Sequence, residues 1–418
     1  VFGTFARRAI VAKWATAFRF VPSLPASFRR GTQPHFGRWP AWTRALPEAL
    51  RSYPGIRRHP DEEREAFESR PLRAFPHEYK HELDWAYKAN WKSMFLAMPR
   101  IQRAIHAVDS TLSEAAPDRQ VPSGSVPKAE SPSPELLTEE LKEFAAQIGL
   151  SAIGIAEYDP KMTFEEFADR KEGDRVIVCI LEQNFAATQT IPSSRADRAT
   201  WSCIAEVTEC SARIATMLQE RGYRAHANDI DGEGVSIAYA VQAGLGQLGL
   251  NGQLLTPASG SRCRLALVNT DAPLSFDEPV DYGIPKICDS CRACVRRCPS
   301  KALTSKRLSH RGVEKGKVST ARCMPVLEAV NNCAICMKVC PVQRYGLPAV
   351  VAEFERSGEI LGSRTDELEG YTWPLDGRYY GPGERPSLSE EFFSQEVLGS
   401  LPGAATATKG APSGDDPD

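Results

Sequence analysis

Apolar residues along this chain change period several times, and each change predicts an element. Leu137, Leu141, Phe144 and Ile148 recur at helical spacing and mark one face of a helix. Ser133-Pro134 supplies a capping hydroxyl and a first-turn proline ahead of it, and Gly149 stops it. "SAIGIA" and "RVIVCIL" are short, unbroken apolar runs, the pattern of strands covered on both faces. Residues 202–221 predict a second helix, with Ile204, Val207, Ile214 and Leu218 on one side, and "LALVNTDAPL" predicts a further strand. This alternation from 134 to 275 indicates an α/β fold, an α+β sandwich. Upstream, "HELDWAYKANWKSMF" predicts a helix from about His77 to Val108.

Composition divides the chain further. Residues 1–117 are rich in Arg, Pro and aromatics, with Trp39, Trp42, Trp85 and Trp91, and form an N-terminal Arg/Trp-rich helical unit. "DRQVPSGSVPKAESPSPE", residues 118–135, is a Pro/Ser linker. The α/β unit spans 136–280, a cysteine-dense unit 281–347, a C-terminal wrapping segment 348–398, and a polar tail 399–418 carries the composition of disorder.

Charge adds one asymmetry. The net charge is −2, yet residues 1–60 carry 11 Lys or Arg against the single acid Glu48. That segment suits an anionic membrane surface, RNA or an acidic partner, or else pairs with acids elsewhere in the chain. No stretch reaches the length of a membrane span. Arg7-Arg8 precedes an apolar patch in the manner of a twin-arginine export signal. Lys13 and Arg19 break that patch and no cleavage site follows, so a cytoplasmic location is the expectation, with membrane association through the basic segment and twin-arginine export as the alternatives.

The candidate chemistry lies in two cysteine runs. "CDSCRACVRRCP" places Cys288, Cys291, Cys294 and Cys298 before Pro299, the C-x2-C-x2-C-x3-C-P run of bacterial ferredoxins. Disulfides between such close neighbours would be strained. Zinc sites space their C-x2-C pairs farther apart and usually include histidine, which is missing near this run. A second run places Cys323, Cys333, Cys336 and Cys340 before Pro341. Two [4Fe–4S] clusters follow. In two-cluster ferredoxins the fourth cysteine of each run serves the other cluster. Crossing would group Cys288, Cys291, Cys294 and Cys340 against Cys323, Cys333, Cys336 and Cys298; the alternative is one run per cluster. Cys179, Cys203, Cys210 and Cys263 are left over and read as buried core thiols.

The α/β unit carries "AGLGQLGLNGQLLTPASGSRCRLALVNTDAPL", residues 243–274, directly before the cysteine runs. Ala243-Gly244-Leu245-Gly246, "LLTP", Gly260 with Arg262 and Arg264, Thr270-Asp271 before Pro273-Leu274, and both runs resemble the cobalamin-dependent family of reductive dehalogenases and epoxyqueuosine reductases. The resemblance covers about residues 134–345. It implies a nitroreductase-like cobalamin-binding domain followed by a two-cluster ferredoxin domain, with cobalamin bound base-off. No D-x-H-x-x-G motif is present to ligate cobalt. It further implies reductive cleavage of a carbon–halogen bond of a small organohalide, with electrons passing from a donor (a ferredoxin, flavodoxin or reductase) through the clusters to cobalamin. Nucleic acid becomes a partner only under the alternative of an epoxyqueuosine reductase acting on tRNA. A further alternative is a cobalamin-free iron–sulfur electron carrier.

Site residues follow from the same resemblance. Gly244, Gly246 and Gly249 permit close backbone approach to a flat ligand, with Asn251 and Thr256 beside them as cofactor contacts. The family pairs a tyrosine proton donor with a nearby cation. This chain has Leu250 where many members carry Arg or Lys, and no tyrosine in 195–220. Tyr223 and Tyr239 are the nearest candidates, each equally a core aromatic. Arg262 and Arg264 are the candidate cations, or else partners of acids such as Asp271. His226, Asp229 and Asp231 form a polar group just before the AGLG segment.

Overall fold

The structure is a computed structural model that describes residues 91–114, 132–163, 167, 172–228, 233–310, 313–330 and 332–394. The Arg-rich start, the tryptophans at 39, 42 and 85, most of the linker, Asp229, Asp231 and the polar tail lie outside the described residues. So does the start of the helix expected from His77. Its described part, α1 (Trp91–Glu114), runs past Val108.

Helix α2 (Pro134–Gln147) begins where the sequence places it. The Ser133 hydroxyl accepts from the Leu136 N–H, and the buried face is Leu137, Leu141 and Ala145. Gly149 follows at φ +93, the left-handed conformation that ends helices cheaply only at glycine. Strands β1 (Ala152–Glu157) and β2 (Arg175–Glu182) match the two apolar runs. Helix α3 (Ser194–Glu220) starts eight residues before the expected position. Ser193 caps it, accepting from the Ala196 N–H. Strands β3 (Ala225–Ala227), β4 (Gln247–Leu248), β5 (Leu254–Leu255) and β6 (Cys263–Thr270) complete the described strands of this unit, with α4 (Ser236–Gln242) between β3 and β4.

The main sheet has the order β1-β2-β6-β3 and is antiparallel throughout. β2 is central: Ala152 pairs with Ile180 on one side and Thr270 with Arg175 on the other. Its unbroken apolar run is explained by two covered faces. Ile177, Cys179 and Leu181 pack with Val207, Ile214 and Leu218 of α3, while Val176, Val178 and Ile180 pack with Tyr239 and Ala240 of α4. Burying each Ile or Val stabilises the sandwich by roughly 1.5–3 kcal/mol.

After β6 the chain enters α5 (Ile284–Cys291) and α6 (Ala293–Arg297), then α7 (Thr320–Ala329), α8 (Ile335–Lys338), α9 (Pro341–Tyr345) and α10 (Leu347–Ser357). This unit is seated on the sandwich by backbone contact. The Leu347 N–H donates to the Pro257 carbonyl at 2.8 Å. A Cβ on Gly260 would lie 2.6 Å from the Gln343 nitrogen, so only glycine fits there. The segment 366–384 then folds back, anchored by Arg297. That residue is fully buried and its guanidinium donates to the carbonyls of Gly381, Glu384, Glu369 and Tyr380.

Candidate functional site

Cys288, Cys291, Cys294 and Cys340 line one cavity of about 350 Å³, its open mouth included. Three come from the first run and its α5–α6 turn; the fourth arrives from the second run, directly before α9. Arg292 sits between the helices at φ +50, a left-handed residue that turns the loop around the cavity. Most of the remaining wall is apolar, Ile287, Val339, Val342, and Leu250 and Leu255 from the β4–β5 hairpin, with Asn251 and Arg292 the polar members. Cys298, Cys323, Cys333 and Cys336 form the neighbouring group: Cys333 and Cys336 each lie within electrostatic reach of Cys323 and Cys298.

Burial sets the chemistry of these thiols. It raises Cys291 to about 11 and Cys340 to about 12, and holds Cys294 and Cys333 well above the usual thiol value. Burial also raises Cys288, which the Leu250 N–H partly offsets. Desolvation disfavours a bare thiolate, whereas a bound metal centre makes the thiolate the stable form. Among the described residues no three His, Cys, Asp or Glu side chains converge as a lone ion's ligands would. Thiols set around a cavity suit a multi-atom cluster.

The glycine segment does something other than expected. A Cβ on Gly244 would meet the Glu278 carbonyl at 2.3 Å, and one on Gly246 the Leu255 carbonyl at 2.4 Å. At Gly249 it would meet the Asn251 side chain and Leu255. All three glycines therefore admit this chain's own atoms. Asn251 is buried, bonds Gln253, and lines the cysteine cavity. Thr256 closes the turn 256–260 through Ser259 and the Gly260 carbonyl.

Arg262 and Arg264 do share one side of the sheet. Arg262 Nη1 bonds Glu182 at 3.1 Å and the Gln183 carbonyl at 2.8 Å, and its guanidinium lies 5.2 Å from the Phe185 ring. Arg264 reaches Thr200 of α3 at 3.1 Å. Neither pairs with Asp271, which is taken by Arg224 at 2.8 Å. The tyrosines lie elsewhere. Tyr239 packs on the α4 face, opposite the arginines, and is 1% exposed. Its hydroxyl donates to the Asp159 carbonyl at 2.9 Å and accepts from the Asp159 N–H. Burial pushes it up to about 12. Tyr223 follows the far end of α3. With Thr200 near the start, the helix rise separates them by about 30 Å. The expected tyrosine–arginine pair is thus not brought together.

His226 is fully buried and its Nε2 lies 3.0 Å from Glu233, beside Asn228. The four leftover cysteines are buried, as expected, with Cys203 raised to about 12 and Cys263 to about 11 by desolvation. Three buried polar atoms in the described structure have no partner around the 256–262 turn: Gln189 Oε1, Ser261 Oγ and Arg262 Nε. Gln189 joins this group through Gln343. Sequence reading also missed Arg297. Its only signal was a second arginine inside "CVRRCP", and the aromatic "YTW…RYY" that it anchors.

Parts of this chain are similar to known proteins. Residues 287–344 match the model of the 4Fe-4S dicluster domain. The tetrachloroethene reductive dehalogenase of Sulfurospirillum multivorans is 32% identical over 191 residues, which cover 44% of this chain and 38% of that protein. An epoxyqueuosine reductase of Lactococcus garvieae is 36% identical over 117 residues, covering 26% of this chain and 32% of its own length. The matched region thus spans less than two-fifths of these relatives. A solved catabolic reductive dehalogenase in complex with 3-bromo-4-hydroxybenzoic acid shares the fold, with a TM-score of 0.54 at 20% identity over 65% of this chain and 41% of that one. Over part of its length the chain is thus similar to reductive dehalogenases and to epoxyqueuosine reductases, and residues 287–344 match the 4Fe-4S dicluster domain.

Proposed function

We propose that this chain is a reductive dehalogenase: an iron–sulfur oxidoreductase that holds two [4Fe–4S] clusters and a base-off cobalamin and cleaves a carbon–halogen bond. The observation that carries it is the meeting of Cys340 with Cys288, Cys291 and Cys294 around one cavity, following a sandwich shared with a dehalogenase. Those four would hold one cluster and Cys298, Cys323, Cys333 and Cys336 the other. The residues that would hold cobalamin are those near the 256–264 segment, where Gln189, Ser261 and Arg262 keep buried polar atoms unpartnered. When bound it supplies a metal centre able to accumulate two reducing equivalents.

The overall reaction consumes the organohalide, two electrons and one proton, and releases halide and the C–H product. Arg262 and Arg264 are the cations of the matched segment. Arg262 offers an unused Nε–H in a water-poor setting, where a charged donor stabilises developing negative charge most. Tyr239 keeps its proton, because both hydrogen-bonding directions of its hydroxyl are committed to backbone. Similarity to epoxyqueuosine reductases supports a second reading, reduction of a modified base in tRNA. Among the described residues no helix is long and apolar enough to cross a membrane. Anaerobic reconstitution should give about eight irons per chain and one corrinoid. Halide release from brominated or chlorinated substrates is expected; turnover of epoxyqueuosine-tRNA alone would replace this reading with the second.

A further inference from the structure

Between residues 286 and 307 the chain places seven lysines and arginines and one carboxylate, Asp289. The structure sorts them. Arg297 is buried as an anchor, and Arg307 lies 3.6 Å from Asp289, so the lone acid is already paired. Lys286, Arg292, Arg296, Lys301 and Lys306 are exposed. Helix α5 buries Ile284, Ile287 and Cys291 and presents Lys286, Asp289 and Ser290 to solvent, with Arg292 at its end. Arg292 also lines the cavity of Cys288, Cys291, Cys294 and Cys340. Cys288 and Cys294 are only half-buried there, so the thiols nearest solvent share their cavity with the Arg292 cation.

A rim of this kind has a use. Structural cations satisfy carboxylates, as Arg307 does and as Lys301 does in part through Glu390; Lys286 and Lys306 have no carboxylate within ion-pair distance among the described residues. Unpaired charge around the opening to a redox centre steers an oppositely charged carrier and orients it with its own centre facing inward. We propose that the α5–α6 surface, from Lys286 to Lys306, is the docking face for a small acidic one-electron carrier protein. The proposal rests on the cluster assignment above. In each encounter one electron leaves the carrier and enters the cluster held by Cys288, Cys291, Cys294 and Cys340, with no bond made or broken. Two encounters supply the pair that the reduction consumes.

The test uses the reconstituted full chain and a purified acidic flavodoxin. Binding should weaken about tenfold or more between low and high salt. The variant K286E/K306E should lose a comparable factor in affinity, and R292E should abolish cross-linking to flavodoxin carboxylates. Reduction of the clusters by a zwitterionic viologen, followed by visible absorbance, should remain unchanged in K286E/K306E. Equal flavodoxin affinity in wild type and variants would overturn the docking face alone. Loss of tRNA or anionic-vesicle retention with flavodoxin binding intact would overturn it in favour of a polyanion surface. Failure of the wild type to take up iron would overturn the cluster assignment and this proposal together.

Discussion

Replacing Arg297 by methionine should release the C-terminal segment while sparing the sandwich. The side chain is wholly buried and donates to four backbone carbonyls, with Glu369 and Tyr380 held at 2.7 and 3.1 Å by Nη2. Its guanidinium lies 4.8 Å from the Tyr371 ring, and Nε lies 3.8 Å from the Glu369 carboxylate, itself 1% exposed. Methionine fills much of the volume but leaves the carbonyls unpaired and the carboxylate supported by Arg296 and the Arg364 N–H. Breaking a buried charged pair costs about 3–5 kcal/mol. Summing four charged hydrogen bonds would give more, but the segment can swing out and rehydrate, which caps the loss. A change of that size raises the open population of 366–384 by about two to four orders of magnitude. Hydrogen exchange of that segment should show it directly. Because Tyr371 lies within electrostatic reach of Cys333 and Cys298, cluster absorbance should also bleach faster in air. Arg297→Lys should rescue only in part, since a point charge cannot fork across four acceptors. Unchanged exchange protection of 366–384 in the methionine variant would refute the reasoning.

Four further outcomes are expected. In Cys333→Ala/Cys340→Ala, crossed ligation damages both clusters and iron falls toward zero, whereas ligation within runs would leave about four irons. Gly260→Ala combines φ +55 with a 2.6 Å contact to Gln343 and should lower stability by about 2 kcal/mol or more in a thermal melt. Tyr239→Phe should cost about 1 kcal/mol for its bonds to Asp159 yet keep turnover, a result measurable by melting and halide release. Cys203 and Cys263, raised to about 12 and 11, ionise far more readily unfolded than folded. Their stabilisation is complete below the unfolded thiol value near 9 and is lost as pH rises toward 11. Each contributes a slope of about 1.4 kcal/mol per pH unit, which Cys203→Ala should reduce in pH-dependent melts.

What could be read from the sequence was whatever local spacing encodes. Cysteine gaps dictate how a loop encloses a cluster, so the runs were legible as they stand. Ser133-Pro134 and the continuous run of β2 were legible because capping and two-sided burial leave local marks. The start of α3 was not, because its first turns carry Arg195, Asp197 and Arg198, which mask the apolar period. β3 is three residues long, too short to show alternation. Glycine announces close approach but not what approaches; at Gly244 and Gly246 the neighbour is this chain's own carbonyl. Sheet faces are decided by tertiary packing, so Tyr239 and Arg262 could look adjacent in sequence and lie on opposite sides. Where the aromatic segment docks was not legible, because its anchor, Arg297, stands 72 residues away from Glu369.

The seat of Cys340 beside Cys288 also bears on biosynthesis. A chain emerging from the ribosome presents Cys288, Cys291 and Cys294 more than forty residues before their companion. Until α9 has been made and docked, the first cavity has three walls and an open side, and an iron–sulfur donor would find only a partial cage. Insertion must therefore wait for nearly the whole cysteine-rich region. Loading of that cavity is then a late event, and a chain truncated before Cys340 would lack the fourth ligand for Cys288, Cys291 and Cys294 while keeping Cys298 for Cys323, Cys333 and Cys336.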